Sequence, residues 1–128
     1  MKAYVSALLL LLSARSLAFD VQVLEINSDS MGVSHKATLV LPGSYAEGNR
    51  RYPVLYLLHG HGGNYQNWAE RTDVEALADK HQMLIVMPDG NIDSWYLDSA
   101  VRANSQYQRY IGEEIPAFID RQFRTVAE

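Results

Sequence analysis

The chain has 128 residues, with 11 basic and 15 acidic side chains, a formal net charge of −4 and no cysteine. This length suits one modest domain, and without cysteine we expect neither a disulfide framework nor a lipoprotein anchor. The mildly acidic balance offers no electrostatic basis for binding nucleic acid or an anionic membrane surface, so we expect neither as a partner.

The first 18 residues have the pattern of a cleaved signal peptide. A basic residue precedes the apolar segment Ala3 to Leu12, and Ser16-Leu17-Ala18 forms a small-x-small cleavage site before Phe19. The apolar segment is about half as long as the ~20 residues that a membrane-spanning helix needs, so we expect no membrane anchor. We therefore predict removal of residues 1–18 and an exported domain, periplasmic or extracellular, over residues 19–128.

Two predicted strands open the mature chain. They run from Val21 to Ile26 and from Lys36 to Leu41, and we expect them to pair antiparallel. The second strand places Ala37, Leu39 and Leu41 on one face, an alternation that predicts a position near a sheet edge.

The third predicted strand leads into a glycine-rich turn. Its unbroken apolar run, Pro53 to His59, is typical of a strand buried on both faces of a parallel sheet. In the turn that follows, Gly60-His61-Gly62-Gly63, glycine lets the backbone approach a ligand and adopt positive φ. This layout matches the strand-to-loop oxyanion hole of α/β-hydrolases, which binds the negative oxygen of an acyl-transfer intermediate. The His61 N–H is the candidate donor, with Gly60 and Gly62 as candidate substrate contacts; the alternative is an ordinary glycine-rich connection.

A helix and a second buried strand are predicted next. Thr72-Asp73-Val74-Glu75 has the form of a capping box. Apolar positions then recur at helical spacing: Val74, Leu77, Ala78 and His81. Met83 to Met87 is another solid apolar run, ended by Pro88-Asp89-Gly90, so strand, helix and strand together predict a right-handed βαβ unit.

The last predicted element is a long helix from about Ala103 to Phe123. Ile111, Ile115, Phe118 and Ile119 would line one face. Pro116 lies inside this helix, where its ring would meet the carbonyl group of Gly112 four residues back. We therefore expect a kinked helix instead of two separate ones.

The loop after the second buried strand carries further candidate site residues. Trp95 and Tyr96 lie near Asp98 and two serines, at the carboxyl end of a strand, where α/β sheets place ligand contacts. These three residues could form a substrate wall. Alternatively, the loop tucks its aromatic side chains into the core, and the sequence leaves both possibilities open.

Neither a metal site nor a nucleophile is predicted within the chain. His59 and His61 are poorly spaced for one metal ion, and the segment from Asp89 fails as a calcium loop because Ser94 occupies the position of the required glycine. We expect no metal and no other cofactor. The nearest match to a nucleophile motif surrounds Ser34, but it ends in lysine at the start of a strand and lacks the strained strand-to-helix turn.

Several of these motifs together resemble one family, the esterases of the α/β-hydrolase class that include S-formylglutathione hydrolases, mycobacterial mycolyltransferases and secreted feruloyl and acetyl-xylan esterases. The similar segments are Tyr52 to Gly63, Trp68, Pro88-Asp89-Gly90, Trp95 to Ser99 and Glu113-Glu114-Ile115-Pro116. The resemblance implies the N-terminal part of an α/β-hydrolase fold, consisting of two antiparallel leading strands, a βαβ unit and a long helix.

The resemblance also implies an activity that this chain would share only in part. In that family the position of His61 supplies an oxyanion N–H, and the helix with Glu113-Glu114-Ile115-Pro116 leads into the strand that bears the nucleophilic serine. We expect the nucleophile strand and the serine, acid and histidine of the triad to lie beyond Glu128, so this chain alone is expected to be inactive and marginally stable. The expected substrate is a small-molecule or polysaccharide-linked ester. A non-catalytic binding module with the same fold and an acyltransferase remain the alternatives.

Overall fold

The computed structural model describes residues 19–127. The predicted signal peptide, residues 1–18, lies outside the described residues, and its removal stays a prediction. Within residues 19–127, every helix is too short or too polar to cross a membrane.

A four-stranded mixed sheet with helices on both faces forms the fold. The strands lie in the order β1-β2-β4-β3, with β1 antiparallel to β2, β2 antiparallel to β4, and β4 parallel to β3. The predicted antiparallel pair and the predicted strand–helix–strand order are both confirmed. The bounds are β1 Asp20–Ser28, β2 Val33–Leu41, β3 Val54–Tyr56, α1 Asn67–Arg71, α2 Val74–His81 and β4 Leu84–Pro88, with a 3₁₀ turn at Gly43–Ala46.

β2 lies one strand from the edge of the described sheet, as predicted, but most of it is buried. β2 lies between β1 and β4, and its residues Ala37 to Leu41 are all buried. Side chains on opposite faces of the strand pack under different layers: Leu39 joins the larger core, whereas Val40 packs with Val74 and Ala78 of α2. The alternation in the sequence therefore reflects two different apolar environments, one on each face of the strand.

The two apolar runs differ in burial. β4 is buried along its whole length, as predicted. β3 is shorter than predicted and is not buried on both faces, since Leu55 is 42% exposed. β3 is the last strand of the described sheet, so it has a neighbour on one side over its length, and Leu55 opens onto an apolar groove of ≈ 440 Å³.

The start of α2 also departs from the sequence pattern. The N-cap residue is Asp73, and its side chain makes no capping hydrogen bond. The Thr72 hydroxyl instead donates to the Trp68 carbonyl at 2.6 Å, at the end of α1. The predicted capping box is therefore wrong. The sequence pattern did not reveal α1, and the Thr72 hydroxyl bonds to the end of that helix instead of capping α2.

The C-terminal helical segment runs without a break through a wide turn. It consists of α3 Tyr107–Arg109, a π-helical turn Tyr110–Glu114 and α4 Ile115–Gln122. The Ile115 N–H donates to the Tyr110 carbonyl, five residues back. A π-turn immediately before Pro116 relieves the clash between the proline ring and the preceding turn, so the predicted distortion takes the form of a widened turn.

Glu114 joins this helical segment to the turn between β1 and β2. Its carboxylate accepts hydrogen bonds from the Ser28 hydroxyl at 2.6 Å and the Ser30 N–H at 2.8 Å. Burial acts to raise the pKa of Glu114, but these hydrogen bonds to the ionised form outweigh burial and hold the pKa below its ordinary value of 4.5. The carboxylate is thus an electrostatic clamp between segments more than 80 residues apart in sequence.

Removing this charge should make the protein less stable in a pH-dependent way. We expect Glu114→Gln to lower the free energy of unfolding by about 1–2 kcal/mol at neutral pH, the usual scale for hydrogen bonds to a charged group. Because the folded-state pKa is lowered, the contribution is complete above the unfolded value near 4.5 and disappears as pH falls through the folded-state pKa. Urea unfolding at several pH values measures this. Glu113→Gln, at the exposed neighbouring position, is the matched control; a pH-independent difference between the two variants would contradict the clamp.

Candidate active site

The glycine turn lies where the chain leaves β3. The Leu57 N–H still pairs with the Val86 carbonyl at 2.9 Å, and the turn begins three residues later, at Gly60. Gly62 has φ +73°, so the positive φ predicted for this turn is present, at a position that favours glycine. Its N–H donates to the Ile92 carbonyl at 3.3 Å, while the Gly63 N–H donates to the Gly60 carbonyl at 3.0 Å.

These two hydrogen bonds use the Gly62 and Gly63 amides, and among the described residues the Gly60 and His61 amides of the turn stay unpaired. Within residues 19–127, the His61 N–H has no hydrogen-bond partner. A free backbone N–H in a tight, hydrogen-bonded turn is the type of donor that stabilises a developing oxyanion, because it costs no reorganisation when charge appears.

A cavity of ≈ 240 Å³ opens beside this amide. It joins the two segments that the sequence singled out, the glycine turn and the loop after β4. The lining residues are His59, Gly60, His61, Asn91, Ile92, Ser94, Trp95 and Tyr96. Four predicted site residues are thus brought together, namely Gly60, His61, Trp95 and Tyr96, whereas Gly62 and Asp98 do not line the cavity.

His59 holds the two segments together. Its side chain is only 2% exposed, and it sits between the turn and the residues after β4. Nδ1 lies 2.8 Å from the Gly60 carbonyl oxygen, and Nε2 accepts the Gly90 N–H at 2.9 Å. The contact between Nε2 and the Asp89 carboxylate, at 3.8 Å, is too long for a hydrogen bond.

The two aromatic residues of the loop have different environments. Trp95 is 72% exposed, and its ring stacks on the His61 imidazole at a centroid distance of 5.7 Å and an interplanar angle of 21°. Tyr96 is turned inward, and its hydroxyl donates to the His59 carbonyl at 2.8 Å. Burial raises the pKa of Tyr96, so the phenol stays protonated and able to donate. The alternative of packing into the core therefore fails for Trp95 and applies in part to Tyr96.

The backbone of this pair is strained. Trp95 and Tyr96 have φ of +53° and +56°, in the left-handed region, where a residue other than glycine costs about 1 kcal/mol or more. Ser94 compensates by donating its hydroxyl to the Gly90 carbonyl and accepting the Tyr96 N–H at 3.1 Å. Two adjacent strained residues on a cavity wall are typical of a functional loop.

Asp98 serves the helix that follows. Its carboxylate accepts the Arg109 N–H at 3.1 Å, one of the amides at the start of the C-terminal helical segment that lack an intrahelical partner. Its assignment to substrate binding stays a prediction, and its observed contact is structural.

Two residues that were considered as metal ligands, His59 and Asp89, form hydrogen bonds to backbone groups instead. His59 contacts two backbone groups, and the Asp89 carboxylate accepts the Asn91 N–H at 2.8 Å. In the described part of the chain, no three or more histidine, cysteine, aspartate or glutamate side chains come together in a way that could hold a metal ion. Ser34 lies on the exposed end of β2 and bonds to Asn27, and it does not line the cavity.

Sequence reasoning missed the cavity roles of His59, Asn91, Ile92 and Ser94. The position of His59 directly before the glycines could have suggested a side chain that forms hydrogen bonds to the backbone of the turn. Its partner Gly90 is 31 residues away in sequence, however, and no local pattern reveals that contact.

A larger hollow of ≈ 420 Å³ lies elsewhere, between β1 and α4. Four of its eight lining residues are acidic, namely Glu25, Asp29, Glu113 and Glu114, and Arg121 is basic. Neither the glycine turn nor the loop after β4 lines it, so the smaller cavity is the better candidate for chemistry.

Comparison with known proteins identifies the family. The family model described as "Putative esterase" matches residues 28–128. The esterase Rv1288 of Mycobacterium tuberculosis is 33% identical over 106 residues, which cover 79% of this chain and 23% of the relative. The chain thus spans about a quarter of the length of the curated relatives it matches.

Solved structures agree at the level of the fold. A ferulic acid esterase matches with a TM-score of 0.76 and 25% identity, covering 88% of this chain and 46% of that protein. FphF, a fluorophosphonate-binding serine hydrolase of Staphylococcus aureus, matches with a TM-score of 0.73 and 22% identity, over 85% and 43% of the two chains. The fold is therefore the N-terminal part of an α/β-hydrolase, as predicted, and the chain belongs to the esterase family.

Proposed function

We propose that this chain supplies the oxyanion-hole loop of an exported serine esterase that cleaves carboxylic esters through an acyl-enzyme. The observation that carries the proposal is the His61 N–H, which has no partner among the described residues and belongs to a turn that lines a cavity. Membership of the esterase family supports the reaction class.

In the proposed reaction, a serine oxygen attacks the ester carbonyl carbon while a histidine takes the serine proton. The carbonyl oxygen becomes negatively charged, and the His61 N–H and the N–H following the serine donate to it. When the tetrahedral intermediate collapses, the histidine returns the proton to the departing alcohol. Water then cleaves the acyl-enzyme by the same steps, and an acyltransferase would differ only in accepting an alcohol in place of water.

The end of the described chain supports a position for the nucleophile. Thr125 forms a parallel bridge with Tyr52, and the Val126 N–H donates to the Tyr52 carbonyl at 2.9 Å. A strand that continued in this register would run beside β3 and reach the level of Gly60 about eight residues beyond Thr125. There a serine on a strand-to-helix turn would face the same cavity as His61.

The substrate is proposed to be a small-molecule or polysaccharide-linked ester. Trp95 and Tyr96 would contact its acyl group from the cavity wall, and their apolar surfaces suit an organic acid. The similarity to a ferulic acid esterase and the predicted signal peptide both favour environmental esters such as acylated plant polysaccharides. N-terminal sequencing of the secreted protein should begin at Phe19; retention of residues 1–18 would contradict export by cleavage.

The proposal is tested first on the coding sequence and then on the protein. The reading frame beyond Glu128 should contain Gly-x-Ser-x-Gly within about 15 residues, consistent with the register above. The full-length polypeptide should then react with a fluorophosphonate at that serine and hydrolyse p-nitrophenyl acetate, and residues 19–128 alone should do neither. A full-length protein that binds an ester without cleaving it would favour the binding module, and faster product formation with an added alcohol would favour the acyltransferase.

A further inference from the structure

The protonation state of His59 follows from its two partners. The Gly60 carbonyl oxygen can only accept a hydrogen bond, so Nδ1, at 2.8 Å, must carry the proton. The Gly90 N–H can only donate, so Nε2, at 2.9 Å, must be bare. His59 is therefore a neutral imidazole in the Nδ1–H form, with both nitrogens engaged.

The carbonyl that His59 contacts and the proposed oxyanion donor belong to one peptide group. The Gly60 C=O and the His61 N–H are the two ends of the same planar trans peptide, so they point in opposite directions. Any contact that fixes the direction of the carbonyl also fixes the direction of the N–H. The Gly60 carbonyl accepts from the His59 ring and also from the Gly63 N–H at 3.0 Å.

We propose that His59 is the positioning residue that aims the His61 N–H at the oxyanion, through the hydrogen bond from its Nδ1–H to the Gly60 carbonyl. The proposal rests on the proposed esterase function of the same site. Glycine at position 60 would otherwise let this peptide rotate easily. Donation to the carbonyl also polarises the peptide and strengthens the N–H as a donor.

The second nitrogen gives the ring its fixed position. Nε2 is held by the Gly90 N–H, at the exit of buried β4, and Tyr96 closes the arrangement by donating to the His59 carbonyl at 2.8 Å. The ring of Tyr96 meets the imidazole edge-on at a centroid distance of 5.8 Å. The hydrogen bond from Gly90 thus fixes the His59 ring, and with it the direction of the His61 N–H, relative to the buried strand β4.

Two substitutions of His59 test the contacts of its two ring nitrogens separately. The amide of Asn overlays Nδ1 and can still donate to the Gly60 carbonyl, whereas the longer Gln places its amide near Nε2 and keeps only the contact with Gly90. In the full-length polypeptide we expect His59→Gln to lower kcat for p-nitrophenyl acetate about 100-fold, the effect of a misplaced catalytic group. KM should change little, and His59→Asn should retain most of kcat.

Equal loss in both variants would mean that the ring is merely structural and would overturn the proposal. Unchanged kcat in His59→Gln would overturn it as well.

A readout independent of activity covers the case in which the variants do not fold. Nitrogen-15 NMR of the wild-type full-length polypeptide, with the imidazoles labelled, should show His59 protonated at Nδ1 and bare at Nε2. The opposite tautomer would overturn the proposal even in an active enzyme. If the wild type shows the expected tautomer but neither cleaves esters nor reacts with a fluorophosphonate, the proposed function fails, and with it the role of His59 in aiming a catalytic donor.

Discussion

Replacing His61 with proline in the full-length polypeptide is expected to lower kcat about 100- to 1,000-fold, the usual cost of losing one oxyanion-hole donor. Proline has no backbone N–H, so the substitution removes the proposed donor and leaves the rest of the turn in place. Gly60 precedes it and has no Cβ to clash with the proline ring. Steady-state kinetics with p-nitrophenyl acetate give the comparison, and KM should change much less than kcat.

The matched control for this prediction is His61→Ala, which keeps the N–H and removes the imidazole. Both variants lose the stack on Trp95, so the difference between them isolates the effect of the N–H. We expect kcat of His61→Ala to stay within about tenfold of the wild type, since only exposed stacking is lost. Turnover by His61→Pro equal to that of His61→Ala would show that the amide is not an oxyanion donor.

Gly90→Ala is expected to destabilise the protein and to distort the cavity. A Cβ at Gly90 would lie 2.1 Å from Cε1 and 2.7 Å from Cζ of Tyr96. The Tyr96 ring has little freedom to withdraw, because its hydroxyl bonds to the His59 carbonyl and its backbone is already strained. Overpacking of this kind typically costs about 1–3 kcal/mol, which urea unfolding of the full-length polypeptide would measure.

Gly60→Ala is the matched control for the steric argument. A Cβ at Gly60 would meet no atom within 4 Å, and this glycine does not need a positive φ, so we expect its unfolding midpoint to stay near that of the wild type. Combining Gly90→Ala with Tyr96→Ala should cost less than the two single changes together, because the second removes the clash. Additive costs, or equal stability of the two glycine variants, would show that Tyr96 is not the obstacle.

Local patterns predicted the elements of the fold well where a single helix or strand determines them. The apolar run of β4, the spacing along α2 and the distortion next to Pro116 all depend on a few neighbouring residues. Patterns failed where a second segment competes or pairs. The Thr72 hydroxyl bonds to the Trp68 carbonyl, and apolar clusters on both faces bury β2 from Ala37 to Leu41.

The candidate site shows the same division. The glycine turn and the Trp95–Tyr96 loop were found from residue types that favour backbone approach and apolar contact, and the structure brings the two around one cavity. The contact of Asp98 with Arg109 and the contact of His59 with Gly90 were not foreseen. Both depend on partners at least 11 residues away in sequence.

The sequence by itself determined that a glycine-rich turn follows an apolar strand, and that its motifs are those of an esterase, because both depend on residue type and order. Only the tertiary structure decided which amides of that turn are paired and how the peptide that carries the His61 N–H is held. The Gly62 N–H is taken by Ile92, from a loop some 30 residues later, and the Gly60 carbonyl is held by a histidine anchored at Gly90. Hydrogen-bond partners that distant in sequence are set by how the sheet and its loops pack, and they leave the His61 N–H as the one proposed to meet the substrate.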